Sequence, residues 1–183
     1  RDAWTIVPGR ALTVFETALG RVGILVGYDA EFPLLARALV AAGAEILLVP
    51  SFTRTVHGYS RVRIAAMARA LEGQCVVVQA VALSDAGWLA AAGKGVGAAG
   101  VFVPPDTGFP EDGVVALGKP DTPGWTYAEV SLEALREVRA SGAARNVLHW
   151  DEQDVRLSPV AVQPLGAPPP PQETAPAPTD KAG

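Results

Sequence analysis

Three short apolar runs, RVGILV (21–26), EILLVP (45–50) and CVVVQA (75–80), are separated each time by one helix-length segment. Near-continuous apolar strands of this kind are buried on both faces, unlike the in–out alternation of a half-exposed strand. The first separator, FPLLARALVAAG (32–43), reads as a helix. Pro33 suits its first turn, where a missing N–H costs little, and Gly43 suits the position just past its end. The only charge in that helix is Arg37, so nearly all its sides are apolar and it is expected to be sandwiched, within the domain or between subunits. The second separator, YSRVRIAAMARALEG (59–73), reads as a helix with Ile64, Met67 and Leu71 on one apolar stripe, after a loop SFTRTVHG (51–58). Strand, helix, strand, helix, strand implies parallel neighbours joined by right-handed crossovers.

The rhythm differs on either side of this unit. ALTVFET (11–17) reads as a strand, turning at Ala18-Leu19-Gly20. VGAAGVFVP (96–104), VVALG (114–118) and TYAEVS (126–131) read as strands with no helix between them, an antiparallel continuation. Ser131 is placed to cap a last helix, LEALREVRA (132–140), which Gly142 ends. The fold class is therefore α/β in the mixed-sheet (α+β) sense. One domain is expected over 1–156, with a tail over 157–183. From Leu165 the text is LGAPPPPQETAPAPTDKAG, too poor in large apolar residues to offset its ordering entropy.

Composition excludes several functions. The 183 residues carry a formal net charge of −4 with no basic block, which argues against nucleic acid as a partner. No apolar run approaches the roughly 20 residues that span a bilayer, and no signal-peptide pattern opens the chain. With Cys75 as the single cysteine, no internal disulfide forms, and a cytoplasmic location is expected. His57 and His149 are the two histidines, without metal-ligand clustering, so neither a metal nor another cofactor is expected. Arg1-Asp2-Ala3-Trp4 reads as the interior of a longer chain.

The stretch GILVGYDAEFP (23–33) is the candidate for chemistry. An apolar strand stops at Gly27, a Tyr-Asp pair follows, and Phe32-Pro33 opens the next helix. A strand-to-helix corner exposes its central residue at the carboxyl end of the sheet and aims the following N–H groups at the same place, an arrangement suited to acyl transfer. Glycine answers the strain of such a corner but brings no nucleophile. On spacing alone, Gly27 reads first as a tight turn needing positive φ. Asp29 reads as an acceptor of backbone N–H groups at the corner, Glu31 as a charge favoured ahead of the helix, and Arg69 with Glu72 as a local pair.

RVGILVGYDAEFPLLARALVAAGAEILLVPS resembles the nucleophile region of the nitrilase, or carbon–nitrogen hydrolase, superfamily. That pattern is a buried strand, Cys-Tyr-Asp, two variable residues, Phe-Pro, a helix, Gly-Ala, an apolar strand and Pro-Ser. MARALEGQCVVVQA (67–80) is similar to its Ala-Arg-Ala-x-Glu-Asn helix and following strand, 96–118 to its late strands, and Arg145 to Trp150 to its closing segment. The resemblance covers about residues 4–153. It implies an α-β-β-α sandwich whose N-terminal part is missing here, assembled into homodimers or larger homo-oligomers. It also implies amide or nitrile hydrolysis through a Cys–Glu–Lys triad, with a small-molecule amide or nitrile as substrate.

Carried over residue by residue, the resemblance puts the nucleophile position on Gly27 and the backbone oxyanion donor on Tyr28. The family's glutamate and lysine fall before Arg1, and Lys94 and Lys119 sit too late to be that lysine. As it stands the chain is expected to be inactive. Ser51, Phe52 and His57 are candidates to line the substrate pocket, with backbone shaping as the plainer role of Ser51 and a loop-surface position that of His57. Cys75 reads as a small core hydrophobe. Trp88 and the loop 81–94 either cover the pocket or pack on the surface. Two functions stay open: an amidase-like hydrolase with a vacated nucleophile, and a non-catalytic relative kept as a binding or assembly module.

Overall fold

The computed structural model describes residues 7, 9–83, 93–157, 159, 160 and 162. Trp88 and most of the expected Pro/Ala-rich tail lie outside the described residues. The chain divides into two compact units, Arg1–Asp151 and Glu152–Gly183. In the second, the described residues are exposed, and its first residues complete a 3-10 segment, Trp150–Arg156.

The first unit is a six-stranded mixed sheet in simple sequential order. Strand β1 (Val14–Thr17) pairs antiparallel with β2 (Gly20–Ile24), whose neighbours β3 (Ile46–Ser51) and β4 (Val76–Val81) continue in parallel. Strands β5 (Gly100–Phe102) and β6 (Val114–Leu117) then add antiparallel, with a register irregularity between Val101 and Phe102. Helix α1 (Pro33–Ala41) crosses from β2 to β3, and α2 (Val56–Gly73) crosses from β3 to β4. Two right-handed crossovers advancing in one direction put both helices on one face. Leu25, Leu47, Val49, Val77 and Phe102 meet Ala36, Leu39, Ala66 and Ala70 there in one buried cluster.

Local chemistry sets the helix ends. Pro33 stands in the first turn of α1, and Gly43 beyond its end adopts φ +95°. Helix α2 starts at Val56 rather than Tyr59, because Thr55 Oγ1 accepts from the Gly58 N–H at 3.1 Å. The expected loop over 51–58 is therefore shorter, and His57 lies in the first helical turn. Ser131 Oγ accepts from the Ala134 N–H at 3.1 Å and caps α3 (Leu132–Ser141), as its position predicts.

Three expectations change. Ile64 and Leu71 are exposed, and the buried stripe of α2 is instead Val62, Ala65, Ala66 and Ala70, small residues that let the helix lie close on the sheet. TYAEVS forms no strand: Tyr127 is exposed, and Val130 instead packs beside Leu132 against the cluster under α3. RVGILV is buried on one face only. Gly23 and Leu25 point into the core, whereas Ile24 and Val26 are exposed on the other face, together with Phe15 of β1. Leu135 of α3 covers part of that face through Val76, Val101 and Val103. Among the described residues no helix is long and apolar enough to cross a membrane.

Candidate active site

The corner after β2 is held from three sides. Leu25 N–H still donates to Leu48 O of β3 at 2.9 Å, and the chain then turns through Gly27, at φ +48°, into a 3-10 turn, Gly27–Glu31. Asp29 accepts the Val26 N–H on Oδ2 at 3.2 Å, the role its position predicts. Arg69, buried in α2, donates from Nη1 to Ala30 O at 3.2 Å and anchors the turn from below. Arg69 also pairs with Glu72, Nε to Oε1 at 2.8 Å, close but without hydrogen-bond alignment, while Nη2 donates to Oε2 at 3.3 Å. Burial raises the Glu72 carboxyl above its ordinary value, against the pull of Arg69 and Arg37.

The corner sits at the carboxyl ends of the parallel strands, where ligands bind in open α/β sheets. A Cβ on Gly27 would meet Ser51 Cβ at 3.8 Å, Ser51 Cα at 3.9 Å and Pro50 O at 4.0 Å. These are ordinary contacts, so the space admits a side chain and only the backbone conformation resists one. Gly27 and Tyr28 open the 3-10 turn, where the first N–H groups have no intrahelical acceptor.

A cavity of about 300 Å³ opens beside Gly27, lined also by Tyr28, Glu31, Phe52, Thr53 and Arg61 among others. Arg61 donates from Nε and Nη2 to Glu31 Oε2, the former at 3.1 Å. Its Cζ lies 5.8 Å from the Tyr28 ring centroid, and Tyr28 meets Phe32 edge-on at 4.9 Å. Glu31 raises the Arg61 guanidinium further above its ordinary value, so Arg61 stays charged. Among the described residues, no lysine and no second carboxylate lines this cavity.

Phe52 is therefore at the cavity with Gly27 and Tyr28. Ser51 backs Gly27 instead, and its Oγ donates to Ala80 O at 3.2 Å, which fits the shaping role. His57 is exposed and does not line the cavity. Lys119 lines a different cavity of about 520 Å³, with Trp125. Cys75 is fully buried, and burial pushes its thiol up to about 12, which leaves it inert. Sequence reasoning missed Arg61 and Thr53. Arg61 stands one turn after His57 on α2, and the signal that would have found it is its opposite charge to Glu31 across the crossover.

The positive-φ corner of the mixed sheet thus lies beside a cavity at the carboxyl rim of the parallel strands. The sequence model of the family described as carbon-nitrogen hydrolase matches residues 4–103, and the chain belongs to that family. It is 34% identical over 147 residues to the probable hydrolase YhcX of Bacillus subtilis, covering 80% of this chain and 29% of that protein. It is 46% identical over 80 residues to the deaminated glutathione amidase of Yersinia enterocolitica, covering 44% of this chain and 28% of that protein. Among solved structures it resembles Saccharomyces cerevisiae Nit3, a member of branch 10 of the nitrilase superfamily. The TM-score is 0.62 at 26% identity, over 75% of this chain and 47% of the other. The matched region thus spans less than a third of these two curated relatives, 29% and 28% of their lengths.

Proposed function

We propose that this chain carries the nucleophile corner of an amidase-like carbon–nitrogen hydrolase acting on a small non-peptide amide or nitrile. Gly27 stands at the position of the attacking cysteine, and the Tyr28 N–H is the oxyanion donor. The observation that carries the reading is the corner itself: a positive-φ glycine with room for a side chain, opening on a cavity at the carboxyl rim. In such a site the thiolate attacks the carbonyl or nitrile carbon, and the Tyr28 N–H holds the oxygen or nitrogen that becomes negative. A glutamate and a lysine would move the proton and steady the charge; among the described residues no lysine lines the cavity, and Glu31 is held by Arg61. Amidase names among the relatives, deaminated glutathione amidase and the omega-amidase of Saccharomyces cerevisiae, favour an amide over a nitrile.

As it stands the chain lacks a sulfur at position 27 and is read as inactive. That feature favours a second reading, a non-catalytic module that binds but does not cleave. The test is Gly27→Cys in the chain joined to an upstream segment that supplies the glutamate and lysine. Ammonia release from a panel of amides and nitriles supports the hydrolase. A folded protein releasing none across the panel overturns it and leaves the binding module.

The outward sides of α1 and α2 carry Leu34, Ile64 and Leu71, all exposed. These exposed apolar side chains support association of two copies through these helices. No basic block supports nucleic-acid binding, and a cytoplasmic location remains the reading from the single buried cysteine.

A further inference from the structure

Both charges stand at the mouth of the cavity beside Gly27. The two hydrogen bonds from Arg61 land on one oxygen, Glu31 Oε2. Glu31 Oε1 accepts no hydrogen bond among the described residues, and Arg61 Nη1 makes none to Glu31. The Arg61 side chain is 61% exposed and the Glu31 side chain 20%, and the Tyr28 ring flanks the guanidinium. With Oε2 held, Glu31 keeps Oε1 for a ligand, and Arg61 keeps its exposed Nη1 side.

The pair is neutral in sum, and this decides what it prefers. A ligand with a lone carboxylate gains from Arg61 and is repelled by Glu31. A lone ammonium meets the reverse. A ligand that carries both charges a few ångströms apart satisfies each partner at once. We propose that Arg61 and Glu31 form a subsite for a zwitterionic α-amino acid head group. Arg61 takes the carboxylate and Glu31 takes the ammonium, so that an amide at the other end of the molecule reaches position 27. The cavity of about 300 Å³ is at the small end of ligand sites and suits an amino acid whose side chain ends in an amide. This inference rests on the amidase reading and names the substrate class for it.

The chain itself is the right reagent, because Gly27 leaves an amide uncleaved during titration. Four probes are titrated into the isotope-labelled chain and followed by the amide signals of Gly27, Tyr28 and Arg61. They are L-glutamine, the monoamide of glutaric acid, γ-aminobutyramide and uncharged butyramide. L-Glutamine is expected to bind about two- to fivefold more tightly than either singly charged probe, the scale of one exposed charge pair. Glu31→Gln removes the repulsion and strengthens binding of the glutaric monoamide. Arg61→Met abolishes the advantage of L-glutamine over γ-aminobutyramide. If butyramide shifts Gly27 and the charged probes bind no better, or the advantage of L-glutamine survives both substitutions, the subsite is overturned and the amide site stands. If no amide shifts Gly27 or Tyr28, the amidase reading fails and the subsite with it.

Discussion

Ser51 Cβ lies 3.8 Å from the point where a Cβ on Gly27 would stand, a distance of ordinary contact. Sterically, then, the corner accepts a side chain, and the resistance is in the backbone alone. At φ +48° an L-residue is disfavoured by about 1–2 kcal/mol. Gly27→Ala and Gly27→Cys should each lower the unfolding free energy by that amount, measured by urea denaturation. A much larger loss would mean that the space beside Ser51 is not as open as the geometry says.

Leu135 is fully buried and, with Val138, fixes α3 against Val76, Val101 and Val103. Leu135→Ala removes that anchor and leaves a cavity, with an expected cost of about 2–5 kcal/mol. The check is the urea midpoint at an unchanged slope. A cost below about 1 kcal/mol would mean that the site collapses freely and that α3 contributes little to the core.

Acid should weaken the link between α3 and the sheet. Arg136 Nε donates to Glu45 Oε1 at 2.6 Å, and this bond holds the Glu45 carboxyl below its ordinary value. Because the folded pKa is the lower one, the stabilisation is complete above the unfolded value of about 4.3 and fades as pH falls through the folded one. Stability measured from pH 7 down to pH 3 should drop less steeply in Glu45→Gln than in the parent chain. Parallel curves would assign the acid response to other carboxylates.

Cys75 should resist alkylation in the native chain. With the thiol raised to about 12 and no exposure, its native labelling by iodoacetamide at pH 8 waits on opening of the core. Mass spectrometry should show labelling at least about a hundredfold slower than in denaturant. Fast native labelling would mean that β4 opens readily at its amino end.

The strip on α1 and α2 gives a test of association. Leu34→Glu with Ile64→Lys alters two exposed residues and touches none of the buried cluster. Sedimentation should show the double variant as a smaller species with an unchanged circular dichroism spectrum. The same mass for both proteins would move association elsewhere or remove it.

What was legible in the sequence followed from burial. The apolar runs at 21–26, 45–50 and 75–80 announce β2, β3 and β4, because a parallel strand must find partners on both edges. Pro33, Gly43 and Ser131 mark helix ends through local hydrogen bonding, which needs no tertiary knowledge. TYAEVS misled because alternation reports a half-buried extended segment, and Val130 supplies that burial against the α3 cluster without a ladder of strand bonds. The stripe of Ile64 and Leu71 misled because hydrophobicity does not say which side of a helix faces the sheet, and the small Ala65, Ala66 and Ala70 pack closer. Gly27 was legible as a corner. Arg61 was not, since its bond to Glu31 spans 30 residues and depends on how α2 leans over the 3-10 turn.

The Arg139 guanidinium donates to Gln74 O at 2.7 Å, Ala44 O at 2.9 Å and Gly73 O at 3.4 Å. One side chain near the end of α3 thereby rivets together the two turns that feed β3 and β4. Lengthening either turn would pull a carbonyl off the rivet, so evolutionary insertions are unwelcome at that rim. At the opposite rim, where the cavity lies, Arg69 reaches a single carbonyl, Ala30 O, at the corner. A rim held by fewer carbonyls tolerates more change in its loops, so new ligand preferences can arise there while the scaffold stays put.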